Sequence, residues 1–240
     1  MTVELKAQTL NVLKLIYQPK VFFQQLYLLL KTETLETKRK NRMITIGLPS
    51  IVLVAVIAIL GLVTVDKLAH IQELKDYYGS LNMSIPEDGV LAKSYYASIF
   101  GNAIAQLGML VVKAALVAGI ASYAGGEGKV RESFSIAIYA FIPVLIGKIL
   151  SAFIFGDIAN SFHLGQVIPM VEGSFLYYAL QELDIFVIWY QILMIKGIQY
   201  TFDVDRKRAI FCVLVPWILF IMIRAGFQNL NAVVGTDIMI

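Results

Sequence analysis

The chain has 240 residues, 58% of them hydrophobic and 15% charged, with a mean hydropathy of +0.74. A water-soluble globule cannot cover that much apolar surface, so composition excludes a soluble enzyme, a disordered tail and a nucleic-acid module, and leaves an integral membrane protein partnered by the lipid bilayer. The net charge of +3 is informative only through its placement, and the single cysteine, Cys212, excludes an internal disulfide framework and a Cys-ligated metal site.

Residues 1–42 form an amphipathic segment. Leu10, Leu13, Ile16 and Tyr17 recur at helical spacing, and after Pro19 the set Phe22, Phe23, Leu26, Leu29 and Leu30 repeats the stripe. Pro19 suits the first position of a second short helix, where its missing N–H costs nothing. Two readings follow: a hairpin lying on the inner leaflet, or a helix packed under the membrane bundle through the same stripe.

A bilayer core of roughly 30 Å needs about 20 apolar residues in helical form, and the sequence predicts five such spans, at 43–65, 98–121, 134–155, 176–199 and 209–226, with a carboxyl-terminal tail at 227–240. The expected fold is therefore an all-α bundle of five transmembrane helices. The first span has no ionisable residue and begins too late to be a cleaved signal peptide. Between the first two spans, Pro86 and Gly89 suit a turn after a short helix around His70 to Tyr78.

Basic residues orient the bundle, because Lys and Arg are retained on the cytoplasmic side. Thirteen lie before the first span and in the loops 122–133 and 200–208, against Lys67, Lys75 and Lys93 on the other side. The expectation is a cytoplasmic amino terminus and an exterior carboxyl terminus. Lys113, Lys148, Lys196 and Arg224 fall inside spans.

Ionisable groups in a membrane cost a few kcal/mol each when unpaired, so they mark a site or a pair. From a rise of about 1.5 Å per residue, Lys148, Glu182, Asp184 and Arg224 share one layer in the outer half. Glu182 and Asp184 are about 200° apart on a helix, so the expectation is that one pairs with Lys148 and the other with Arg224 or with water. These charges either fasten helices together or form a transport path, which Asn102 and Gln106 would extend outward as a polar track. Lys113 and Lys196 are expected to reach back to inner head groups. In the second span, Gly101 and Ala105, Ala114 and Ala118, and Ala115 and Gly119 stand four apart, the spacing of a close helix-packing face.

Catalytic motifs fail. A phosphate loop at Gly125 to Lys129 would need glycine at Tyr123 and Ser or Thr at Val130, and Phe155-Gly156-Asp157 lacks the preceding glycine of an intramembrane aspartyl protease. His70 and His163 are without clustered acids, so no metal, cofactor or enzymatic activity is expected.

The run Gly125-Gly126-Glu127-Gly128-Lys129-Val130-Arg131-Glu132-Ser133, then Tyr139-Ala140-Phe141-Ile142-Pro143, then Asp184 to Trp189, Lys196-Gly197-Ile198 and Arg206-Lys207-Arg208-Ala209 resembles the Yip (Ypt-interacting protein) family of five-span membrane proteins. The segment around Pro19 resembles its prokaryotic branch. The resemblance implies a non-enzymatic membrane scaffold. Eukaryotic relatives act with Rab GTPases in vesicle trafficking, and some prokaryotic relatives accompany ABC-type export systems. This chain lacks an Asp-Leu-Tyr-Gly-Pro sequence and a Pro- or Gln-rich segment before its first span, which favours the prokaryotic plasma membrane over Rab binding. The leading expectation is an accessory protein that recruits other membrane proteins, ABC transporter subunits among them, as a homo- or hetero-oligomer. A small-solute or ion transporter and a membrane-shaping or lipid-handling protein are the alternatives. Pro143 is expected to bend the third span and free a carbonyl for a polar neighbour.

Overall fold

The computed structural model of the protein describes residues 12–31, 40–155, 168 and 173–237. Asp157, His163 and most of the loop after the third expected span lie outside the described residues. Two short helices, α1 (Lys14–Tyr17) and α2 (Pro19–Lys31), precede α3 (Lys40–Thr64), and Pro19 begins α2. Then follow α4 (Lys67–Ser80), α5 (Asp88–Tyr123), α6 (Val130–Ala140), α7 (Ile142–Leu150), α8 (Phe175–Gln181), α9 (Ile185–Thr201) and α10 (Arg206–Asp237). The described residues contain no strand, and the fold is an all-α polytopic membrane bundle.

Among the described residues, four stretches are long and apolar enough to cross a bilayer: Lys40–Thr64, Asp88–Tyr123, Val130–Phe153 and Arg206–Leu230. They wear large apolar side chains outward, among them Ile51, Ile104 and Leu219, each more than half exposed, as helices solvated by lipid do. The expected continuous span at 176–199 is instead two helices, α8 and α9, parted at Glu182–Asp184. The break has a local cause. Asp184 Oδ1 accepts the Phe186 N–H at 2.7 Å, so the carboxylate caps a new helix instead of projecting from the side of an old one. Helix α10 runs on to Asp237, through most of the expected tail at 227–240.

Helix α5 exceeds its expected 98–121 boundaries, and its 36 residues reach about 54 Å. Its extra turns lean on α4, where Lys75 Nζ meets Asp88 Oδ1 at 2.7 Å, and on the end of α3, where the Tyr95 hydroxyl donates to the Val65 carbonyl at 3.0 Å.

Prolines shape two helices. The third expected span is interrupted at Phe141, one residue before α7, whose second residue is Pro143. In α3, Pro49 has no N–H to offer the Thr45 carbonyl, and the turn Met43–Gly47 is π-wound. The freed carbonyls are used by α6: Ser135 Oγ donates to Thr45 O at 2.9 Å and the Tyr139 hydroxyl to Ile44 O at 3.2 Å. Ser135→Ala or Tyr139→Phe leaves a buried carbonyl unpaired and is expected to cost about 1 kcal/mol each. Equilibrium unfolding in mixed micelles measures it, and a silent Ser135→Ala would show that the carbonyl finds another donor.

Three basic segments meet at one end of the bundle. The Glu127 N–H donates to Phe202 O at 3.2 Å, Arg208 Nη1 to Ala124 O at 2.9 Å, and Arg131 Nη2 to Leu30 O at 3.1 Å. This end is called the basic end below. There α2 packs on α9: Phe22, Phe23 and Leu26 are fully buried, and the Phe22 ring stands edge-on to Tyr139 at 5.2 Å. The α2 half of the amphipathic stripe is thus turned onto the bundle, whereas Leu13, Ile16 and Tyr17 of the α1 half are exposed. Close approach is allowed by Gly197, where a Cβ would strike Ile136 and press on Phe23 at 3.0 Å.

Candidate functional site

Helices α5, α8, α9 and α10 converge on the intramembrane charges. Glu182 ends α8, and both its oxygens lie 3.0 Å from Arg224 Nη1 on α10. The pair is unequally covered, with the Arg224 side chain 49% exposed and that of Glu182 20% exposed. Among the described residues no cation lies within ion-pair distance of Asp184, whose Oδ1 is spent on the α9 cap. Lys148 is exposed on α7, and no described carboxylate lies within ion-pair distance of it. The expected four-member layer is therefore one ion pair, one helix cap and an outward lysine.

Lys113 joins the pair instead. Its ammonium lies 4.4 Å from the centroid of the Phe220 ring, and the Arg224 guanidinium carbon lies 6.0 Å from the same ring. Phe220 is one turn before Arg224, about 21 Å from the start of α10. The lysine thus points away from the basic end, against the expectation that it reaches back to inner head groups. The reason is the aromatic face, which attracts a cation that cannot find water in hydrocarbon. Lys196 is half-buried on the part of α9 nearer the basic end. Asn102 and Gln106 satisfy each other, Gln106 Nε2 donating to Asn102 Oδ1 at 3.3 Å.

Beside this group α5, α9 and α10 line a partly open cavity of about 50 Å³, walled by Met109, Lys113, Leu116, Gln191, Trp217 and Phe220 among others. Pro216 lies in its wall and, having no N–H, leaves the helix there without one rung. Gln191 is a buried amide inside the bundle, a residue that sequence reasoning passed over because it carries no charge.

The small residues of α5 divide into two faces. Ala114 and Ala118 are buried with Ala103, Val117 and Ala121 in the bundle core. Gly101, Ala105, Ala115 and Gly119 are exposed on the opposite face, with Gly108 between them. A Cβ added to Gly101, Gly108 or Gly119 would meet nothing within 4 Å. Positions 101, 105, 108, 115 and 119 fall within about 40° of one line on a helix of 3.6 residues per turn. The sequence spacing could not separate the two faces, because both repeat every fourth residue.

The glycine-rich turn is structural. Gly125 has φ +91°, Gly126 lies against the Ala121 carbonyl, and a Cβ on Gly128 would enter the Phe202 ring. The Lys129 N–H donates to Glu132 Oε2 at 2.9 Å, which starts α6. Arg131 Nε and Ser133 Oγ are buried there without hydrogen-bond partners among the described residues. Pro143 is buried and Trp189 half-buried. The His70 ring lies tilted against Tyr95 at 5.8 Å, and no His, Cys, Asp or Glu group of metal-binding geometry occurs among the described residues.

A family model, the Yip1 domain, matches residues 27–226. No curated protein and no solved structure matches the chain.

Proposed function

We propose, from the premise that the chain belongs to the Yip1 domain family, that it is a non-enzymatic accessory protein that associates with another membrane protein through α5. The observation that carries this reading is the outward line of Gly101, Ala105, Gly108, Ala115 and Gly119. In lipid, helices associate by close van der Waals packing where small side chains let backbones approach, and this line is not consumed by the chain's own bundle. The family motifs of the glycine turn, by contrast, are spent on seating Phe202 and starting α6.

The finer reading places the protein in a prokaryotic plasma membrane, amino terminus and basic end in the cytoplasm, with α8 and α9 as a fifth, interrupted crossing. Thirteen basic residues in the segments that meet at one end support that orientation. Subunits of an ABC-type export system are the partner class to look for. The test is co-purification in mild detergent followed by mass spectrometry. Wild type is expected to bring down a stoichiometric membrane partner, and Gly101→Leu with Gly108→Leu to lose it while melting within about 0.5 kcal/mol of wild type, because the leucines point into lipid. Retention of the partner by the double variant would remove α5 as the contact.

A second reading, a small-solute transporter, is favoured by one observation, the helix broken at Glu182–Asp184 beside Arg224, since discontinuous helices line many transport sites. Liposome flux abolished by Asp184→Asn would favour it over the first.

A further inference from the structure

The charges around Phe220 do not cancel. Among the described residues, Lys113 and Arg224 supply two cations and Glu182 one carboxylate, and Lys113 lies within Coulomb reach of both. A surplus cation in hydrocarbon costs a few kcal/mol unless a counter-charge approaches it. Arg224 stands eighteen residues beyond Arg206, about 27 Å along α10, hence near the far boundary of a bilayer core of roughly 30 Å. Its guanidinium, half exposed, is within reach of head groups of the leaflet opposite the basic end.

The cavity between α5, α9 and α10 starts at this point and runs the other way. Its rim is Met109, Lys113 and Phe220, and it descends past Leu116 and Pro216 to Val213, two turns nearer the basic end. Apart from Lys113 and Gln191 its walls are almost wholly apolar side chains. Val112 and Leu116, both more than half exposed, form its edge toward lipid.

We infer that the cleft between α5 and α10 binds one phospholipid from the leaflet opposite the basic end, its phosphodiester held by Arg224 and Lys113 and part of one acyl chain entering the cavity toward Val213. The phosphate supplies the missing negative charge, and a guanidinium already committed to Glu182 through Nη1 keeps its other N–H groups for phosphate oxygens. The chain direction agrees, because a lipid of that leaflet points its tails toward the basic end, as the cavity does. Phe220 separates the two environments, with cations at its face and apolar wall below.

The full chain, delipidated in detergent, is incubated with phosphatidylglycerol and examined by native mass spectrometry, with diacylglycerol and inorganic phosphate as separate arms. The expected result is one retained phosphatidylglycerol, a diacylglycerol affinity lower by about tenfold or more for want of the phosphate, and no competition from inorganic phosphate. Lys113→Gln, which leaves the Glu182–Arg224 pair intact, is expected to lower retention about tenfold. Val112→Trp, at the lipid edge of the cavity, is expected to abolish it. Both variants are first required to elute and melt as wild type does; if Val112→Trp does not, Leu116→Trp replaces it. Equal retention of diacylglycerol overturns the phosphate contact, effective competition by inorganic phosphate overturns the acyl slot, and unchanged retention in both variants overturns the site.

Discussion

Phe23→Ala is expected to lower the stability of the protein by about 3–5 kcal/mol, the usual cost of deleting a fully buried aromatic ring where the surroundings relax only in part. The ring is 0% exposed, stands edge-on to Phe22 at 5.4 Å and lies over Gly197 of α9. Phe22 in turn leans on Tyr139, whose hydroxyl is bound to the π-wound start of α3. One substitution therefore loosens contacts among α2, α6, α9 and α3. Equilibrium unfolding in mixed micelles measures the loss, and trypsin cleavage after Lys20, whose ammonium lies 5.8 Å from the Tyr200 ring, should accelerate as α2 leaves the bundle. A loss below about 1 kcal/mol would mean that α2 rests on the membrane surface in the folded protein, because lipid would accept the stripe whether or not the ring were present.

The second large effect belongs to the ion pair. Glu182→Leu leaves Arg224 without its only described carboxylate, and is expected to cost about 3 kcal/mol, the low end of the range for a broken buried pair because Arg224 is half exposed. The measurement belongs in phospholipid-free detergent, so that no phosphate replaces the lost carboxylate. Exchanging the charges, Glu182→Arg with Arg224→Glu, should recover about half of the loss if the interaction is pairwise. A double variant no better than the sum of the two single ones would show that the carboxylate serves the backbone break between α8 and α9 and not Arg224.

How far the site could be read ahead of the fold differs from residue to residue. That Arg224 lies at the depth of Glu182 and Asp184 was legible, because depth along a helix follows from residue count alone, but which of the two carboxylates it meets was not. Asp184 was not, because a carboxylate inside an apolar run looks the same whether it projects from a helix or caps a new one. Only the break, with its 2.7 Å bond to the Phe186 N–H, distinguishes the two. Lys113 was assigned to the wrong end, since length of side chain gives reach but not direction, and direction was decided by an aromatic ring more than a hundred residues away. Small residues every fourth position on α5 announced close packing, yet which of the two small faces met the bundle depended on where α3 and α10 came to lie.

What the sequence by itself determined is the solvent and which segments carry the basic residues. Apolar content demands a bilayer, and the position of basic residues gathers three segments at one end, because both depend on local composition summed along the chain. The helix count was legible except where a polar cap, at Asp184, or a proline, at Pro143, competes with helix continuity. Tertiary structure alone decided which charges pair, which stripe is left facing lipid and where a cavity opens. Those outcomes are set by the rotation of each helix about its own axis, a quantity that burial against neighbours fixes and that hydropathy in a membrane, apolar on both faces, leaves undefined.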